Sequence, residues 1–278
     1  MNMNGKRIVI TGASGGLGIN TVALLVAQGA EVIGLDKVEP NADQWKGKEF
    51  LKCDITNETE VDNAFANAVK SLGGIDILIN NAGSLALQDA AIQPTQQTRD
   101  SFDDNFWALW KVTSCALPHL QASKGKLINV SSLFAYVNAP LVPGYATSKR
   151  AVAAFSDSIR MQYGREITVT TLYPGFINTD IHRGAVRQGL SVAKIVDIRF
   201  LGLRLINLEE PVLAASKGMV KACKRRYRDA GLTILGSLTL WFARHTPSIV
   251  DFIISQRVAH MIKQGSLNIK LDTPSQAG

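Results

Sequence analysis

Thr11-Gly12-Ala13-Ser14-Gly15-Gly16-Leu17-Gly18 follows the short apolar run Arg7–Thr11 (RIVIT) and opens a helical stretch. Glycines in such a loop let the backbone turn tightly and approach a ligand closely. The helix beyond them offers free N–H groups at the positive end of its dipole. Strand, loop and helix in that order point to a pyrophosphate-binding turn rather than a plain structural one. The spacing alone leaves two registers open, since Gly12, Gly16 and Gly18 fit TGxxxGxG while Gly12, Gly15 and Gly18 fit TGxxGxxG.

Further strand-like runs follow at Glu31–Asp36, Phe50–Asp54, Ile75–Asn80, Lys126–Val130 and Ile167–Tyr173. They are short, β-branched and apolar on both faces, as buried parallel strands are. Helical stretches at Leu17–Gln28, Glu58–Leu72, Thr98–Gln121 and Tyr145–Tyr163 alternate with them, with Thr56 or Asn57 available to cap the second and Gly29 and Gly164 placed to end the first and last. Repeated β-α-β units predict an α/β fold: a doubly wound, Rossmann-type parallel sheet with helices on both faces. A single domain over 1–278 is expected, because no linker or low-complexity segment interrupts the chain. Within it, 1–175 reads as a cofactor-binding and catalytic core. Residues 176–210 read as a substrate-loop insertion with helical pieces, and 211–278 as a helix, a strand and an apolar extension. The helix is expected from about Glu209 to Arg225.

The bulk properties fit a soluble protein. The 278 residues are 46% hydrophobic and 19% charged, outside the ranges of disordered or membrane chains. The N-terminus enters a strand almost at once, which leaves no room for a signal peptide. The three cysteines, Cys53, Cys115 and Cys223, are scattered. Both features predict a reduced, cytoplasmic setting. The net charge is +7, densest at Lys221, Lys224, Arg225, Arg226 and Arg228. No aromatic-interleaved motif accompanies that cluster, so nucleic acid is not an expected partner. The longest uncharged run near the C-terminus, Ala230–Ala243, is shorter than the ~20 residues a membrane span needs. The four histidines lack ligand spacing, so no metal is expected; His182 reads as a rim residue.

Asp36 ends the second strand, eighteen residues after Gly18. A carboxylate there can accept hydrogen bonds from an adenosine ribose and repels a 2′-phosphate, which favours NAD over NADP, although Lys37 follows it directly. Tyr145 and Lys149 stand at i and i+4 and share one helical face. A free phenol, with a pKa near 10, is a poor base at neutral pH, and a neighbouring ammonium favours its ionised form.

These residues resemble the short-chain dehydrogenase/reductase family, in its shorter single-domain branch. Besides the glycine loop, which the resemblance reads as TGxxxGxG, they include Asn80-Asn81-Ala82-Gly83 (NNAG), Ser131-Ser132 after the fifth strand, Tyr145-Ala146-Thr147-Ser148-Lys149 (YxxxK) and Tyr173-Pro174-Gly175-Phe176-Ile177-Asn178-Thr179. The match runs from roughly Lys6 to Thr179. It implies a nicotinamide cofactor held by Gly12, Ser14, Gly15, Gly16, Leu17 and Gly18, with Asp36, Asp54 and Ile55 at its adenosine. Asn81, Ala82 and Gly83 border it, Pro174 and Gly175 help to bind it, and the backbone near Ile177 and the Thr179 hydroxyl meet its carboxamide. It further implies Tyr145 as general acid/base, Ser132 polarising the substrate oxygen, Lys149 on the nicotinamide ribose and Asn105 anchoring a water in a proton relay. The family often dimerises through the long helix and the Tyr145 helix, so a homodimer or homotetramer is expected.

The substrate segments predicted are Ser84–Leu87, Leu133–Val142 and the insertion, which is rich in Ile195, Val196, Ile198, Phe200, Leu201, Leu203, Leu205 and Ile206 and carries Arg183 and Arg187 as rim charges. Their apolar character predicts a hydrophobic secondary alcohol or ketone: a steroid, a lipid-like molecule or an aromatic carbinol. The apolar extension around Trp241, Phe242, Ile249 and Phe252 is open to three uses: covering the pocket, weak peripheral membrane contact, or packing on a partner subunit. Two other functions stay open, a catalytically idle NAD-sensing or scaffold protein and a sugar-nucleotide epimerase or dehydratase.

Overall fold

A computed structural model describes residues 2–177, 198–200, 203–206 and 209–265. Its strands are β1 (Arg7–Thr11), β2 (Glu31–Asp36), β3 (Glu49–Lys52), β4 (Ile77–Asn80), β5 (Lys126–Val130), β6 (Thr168–Tyr173), β7 (Phe176–Ile177), β8 (Ile198–Phe200), β9 (Leu203–Ile206), β10 (Glu209–Glu210) and β11 (Asp229–Gly231). Seven of them form one parallel sheet in the order β11-β6-β5-β4-β1-β2-β3. The chain winds outward from β1 to β3, then returns to β4 on the other side of β1. Open α/β sheets form their ligand crevice at such a switch point. The register Ile8↔Ile77 and Ile10↔Ile79 brings the loops after β1 and β4 side by side there.

Alternation along the strands builds a core on each face. Ile8 and Ile10 pack with Val22 and Leu25 of α1 (Gly16–Val26). Val9 and Leu78 face the opposite way, toward Val61 and Phe65 of α2 (Glu58–Leu72) and Val152 of the helix that carries Tyr145. Each such side chain contributes about 1.5–3 kcal/mol on burial. Asn57 caps α2 by accepting the N–H groups of Thr59 and Glu60, at 3.1 and 3.3 Å.

The predicted continuous helix Thr98–Gln121 is instead three pieces. α3 (Gln96–Phe102) is followed by a π-helical turn, Asp103–Trp107, and then by α4 (Ala108–Ser123). Apolar periodicity does not register a single widened turn, and such turns often mark functional sites. The Tyr145 helix, α5, spans Pro143–Tyr163. The helix predicted from Glu209 starts later, as α6 (Val212–Lys224), because Pro211 disfavours helical backbone at the residue before it. Glu209–Glu210 pair in parallel with Phe176–Ile177. The described parts of the 176–210 insertion are strands, β8 and β9 pairing antiparallel; the remainder, where helical pieces are expected, lies outside the described residues. Ile195, Val196, Leu201, His182, Arg183 and Arg187 lie outside the described residues.

Two more helices, α7 (Ile234–His245) and α8 (Pro247–Lys263), follow β11. Their inner faces pack on the chain's own 133–142 segment. Leu240 joins Leu133, Phe134 and Val142, Ala243 and Ile254 join Val137, and Met261 joins Leu141. The Arg244 guanidinium locks α7 down by donating to Asp229 (3.0 Å), Tyr136 Oη (2.7 Å) and Tyr173 Oη (3.1 Å). The outer faces leave Ile234, Leu238, Trp241, Phe242, Ile249 and Phe252 exposed. No described helix is long and apolar enough to cross a membrane.

Candidate active site

At the switch point lies a cleft of about 490 Å³. Gly12 leaves β1 with φ +64°, and a Cβ there would come within 2.7 Å of Ala82 Cα. A side chain would therefore strain the turn and push the two loops apart. Asn81 ties them together by donating from Nδ2 to the carbonyls of Thr11 (3.1 Å) and Gly12 (3.0 Å). Gly15, Gly16, Leu17 and Gly18 open α1 onto the cleft. That helix end has no side-chain cap and no acid in its first turn, so its N–H groups and dipole are directed at whatever enters, which fits a pyrophosphate. Ser14 is not brought to the cleft wall; its hydroxyl donates to Val38 O.

At the end of the cleft beside β2 the wall includes Asp36, Lys37, Val38, Asp54 and Ile55. Asp36 accepts from the N–H groups of Ser14 (3.0 Å) and Val38 (3.1 Å), one on each carboxylate oxygen. Burial raises the Asp54 carboxyl, but hydrogen bonds from Thr56 and the Lys37 charge bring it below its ordinary range.

The other end gathers Ser132, Tyr145 and Lys149, all buried. Ser132 follows β5 and accepts the Phe134 N–H at 3.2 Å. Ser131, its neighbour, instead donates to the backbone carbonyl of Lys149 at 2.6 Å and ties α5 to β5. The Lys149 ammonium lies 5.8 Å from the Tyr145 ring centre and donates to Val130 O at 3.2 Å. Burial lowers Lys149 to about 8, against the opposing influence of Asp104. For Tyr145, burial raises the phenol and the Ser132 hydrogen bond only partly offsets it. Desolvation thus dominates the phenol at this buried position.

Asn105 sits behind the cleft wall, fully buried in the π turn. Its Nδ2 donates to Ser84 O (2.9 Å) and Ser148 Oγ (3.0 Å), and its Oδ1 accepts the Ser84 N–H (3.0 Å). Between it and the cleft is Gly83. A Cβ there would meet Asn105 Oδ1 at 2.5 Å and Lys149 Nζ at 3.0 Å, so only glycine lets these groups close up. Asn81, Ala82, Pro174, Gly175 and Ile177 complete the wall. Thr179 lies outside the described residues. Among the described residues, no group of three His, Cys, Asp or Glu side chains is placed to hold a metal ion.

The expectation that Leu133–Val142 lines a substrate pocket needs correcting. Phe134 is the residue of that segment on the cleft wall; Leu133, Val137, Leu141 and Val142 are core contacts for α7 and α8. Three residues at the site were not anticipated. Ser148 shares the α5 face with Tyr145 and Lys149, which helical spacing could have shown. Asp104 reaches the cleft beside Asn105 through the π turn. Glu210, buried, accepts from Thr233 Oγ1 (2.7 Å) and the Gly175 N–H (3.4 Å), and burial raises its carboxyl pKa despite those bonds.

The short chain dehydrogenase family model matches residues 6–189. The chain is 31% identical over 207 residues to an L-fucose dehydrogenase of Oryctolagus cuniculus, covering 66% of this chain and 71% of the relative. It is 23% identical over 262 residues to an 11-beta-hydroxysteroid dehydrogenase A of Sesamum indicum, covering 90% and 74%. Two solved structures share the fold. One is a short chain dehydrogenase from Mycobacterium paratuberculosis bound to NAD (TM-score 0.71, 20% identity, 85% of this chain and 99% of that one). The other is a short chain dehydrogenase from Burkholderia cenocepacia J2315 in complex with NADP (TM-score 0.73, 20% identity, 91% and 99%). With the family's glycine loop, NNAG and Ser-Tyr-Lys residues standing on one switch-point cleft, this chain belongs to the short-chain dehydrogenase/reductase family and is an oxidoreductase acting on CH–OH groups.

Proposed function

We propose that this protein is an NAD-dependent dehydrogenase that interconverts a hydrophobic secondary alcohol and its ketone, with Tyr145 as general acid and base. The carrying observation is the convergence of the Ser132 hydroxyl, the Tyr145 phenol and the Lys149 ammonium at one buried end of the cleft. In oxidation the substrate hydroxyl loses its proton to the Tyr145 oxygen while its carbon loses a hydride; in reduction both return. Ser132 donates a hydrogen bond to the substrate oxygen. Lys149 holds the nicotinamide ribose and steadies negative charge on Tyr145, and Asn105 supports that group from behind Gly83. The bound dinucleotide supplies the hydride acceptor. Asp36 supports NAD by offering a carboxylate where NADP carries a phosphate. Leu85, Phe134 and Ile177 on the wall support an apolar substrate.

The test is reduced-nicotinamide absorbance with a panel of hydrophobic alcohols and ketones and both cofactors. Turnover with NAD is expected, and Asp36→Ala should erode the preference over NADP. Tight NAD binding with no turnover on any substrate would favour a sensing protein, and an unchanged preference in the Asp36 variant would sink the cofactor assignment.

Two surfaces support contacts beyond the substrate. Trp107 and Trp110 stack on the outside of the α4 region, 6.0 Å apart and half-exposed, beside α5, which supports a homo-oligomer. The apolar outer faces of α7 and α8 support weak contact with a lipid surface. Sedimentation alone and with anionic liposomes reads both. A monomer at micromolar concentration sinks the first reading, and protein left in the supernatant at low salt sinks the second.

A further inference from the structure

Lys37 presents a paradox for the NAD reading. It follows Asp36 at the adenosine end of the cleft, where a lysine would ordinarily welcome a 2′-phosphate. Its side chain, 58% exposed, is directed elsewhere: Nζ lies 4.0 Å from Asp104 Oδ1. Asp104 belongs to the π turn after α3, distant in sequence, and both residues line the same cleft. The Asp104 carboxylate is held there, 16% exposed, by the Ser84 hydroxyl, which donates to Oδ2 at 2.7 Å. Lys37 also bears on Asp54, whose carboxyl it helps to hold low. One ammonium thus answers to two carboxylates, and Asp36 adds a third beside it. A phosphate arriving there would meet an excess of negative charge.

We propose that Asp104 is a cofactor-specificity residue: by holding Lys37 toward the π turn, it denies that lysine to the 2′-phosphate of NADP. The inference rests on the NAD reading above and identifies a second group, beyond Asp36, that enforces it. Asp104 stands on the cleft from within the π turn, while its neighbour Asn105 is buried behind it.

NADH and NADPH differ only in the 2′-phosphate, so the ratio of their dissociation constants, measured by fluorescence titration, isolates this effect. A change in folding or in Lys149 moves both constants together and leaves the ratio unchanged. Asp104→Asn keeps a partner for Ser84 but removes the charge. It should tighten NADPH relative to NADH by about two- to fivefold, the scale of one partly exposed ion pair. Raising the ionic strength should shrink that gain, and adding Lys37→Met should abolish it. Lys37→Met alone should leave the ratio near the wild-type value. A ratio within twofold of wild type in Asp104→Asn overturns the inference, as does a large loss of NADPH binding in Lys37→Met alone. The wild-type ratio judges the NAD reading separately, because a preference for NADPH there overturns that reading whatever Asp104→Asn does.

Discussion

Replacing Tyr145 with phenylalanine should abolish turnover of every alcohol and ketone the protein accepts, while dinucleotide binding and the fold persist. The substitution deletes one oxygen and keeps the ring, which packs edge-on against Phe134 with centres 6.1 Å apart. The lost oxygen is the one that hydrogen-bonds with Ser132, and the proposed proton transfer passes through it. A positioned general acid or base contributes roughly 10²–10⁴-fold to the rate. The expected result is a fall of at least that size in kcat, with the cofactor dissociation constant changed less than threefold. Initial rates and a cofactor titration on the same preparation decide it. A variant that keeps more than a tenth of the wild-type rate reassigns the proton-transfer group.

Lys149→Met should lower activity and raise stability together. Lys149 keeps its charge in a buried site whose desolvation brings the ammonium from 10.5 down to about 8. That drop corresponds to about 3 kcal/mol of cost to the folded state while the lysine is charged. Losing the hydrogen bond to Val130 O offsets about 1 kcal/mol, leaving a net gain of about 2 kcal/mol near pH 7. The sign with pH follows from proton binding. Below pH 8 both folded and unfolded chains hold the proton, and the cost is present in full. Between 8 and 10.5 the unfolded chain binds more protons than the folded one, so the wild type gains stability as pH rises. The advantage of Lys149→Met should therefore fade across that window in thermal unfolding of the protein without dinucleotide. A gap that stays constant from pH 7 to 10.5 rejects the account. The same variant should lose at least a hundredfold in kcat if, as proposed, the ammonium steadies negative charge on Tyr145. A stabilising loss of function is the signature of a charge buried for chemistry rather than for folding.

Much of the site is readable along the chain because its parts are local. The glycine loop after RIVIT, the Tyr145–Lys149 face and Asp36 at a strand end each depend on backbone geometry within a few residues. Strand and helix periods are equally local, which is why six of the sheet strands could be placed. Ser131 and Ser132 stand side by side in the sequence, and the structure gives the physical difference: Ser131 donates to the Lys149 carbonyl, leaving Ser132 beside the phenol.

Contacts between distant segments had no such signature. Lys126 sits in a run that reads as an ordinary buried strand, yet its Nζ crosses to the carbonyls of Ala222 (2.8 Å) and Cys223 (3.1 Å) and closes the end of α6. The apolar 133–142 segment reads equally well as a pocket wall or as core. Its partners on α7 and α8, more than ninety residues away, decide for core at most positions. Local patterning says that a residue is to be buried but not against what.

The parallel sheet, the tight glycine turn after β1 and the shared face of Tyr145 and Lys149 are legible along the chain alone, because each follows from a backbone period or a short steric requirement. That Asp104 lines the cleft and faces Lys37, and that desolvation dominates the Tyr145 phenol, follows from the fold alone. Both depend on what surrounds a charge in three dimensions, and burial and the distance to other charges are properties of the folded chain alone.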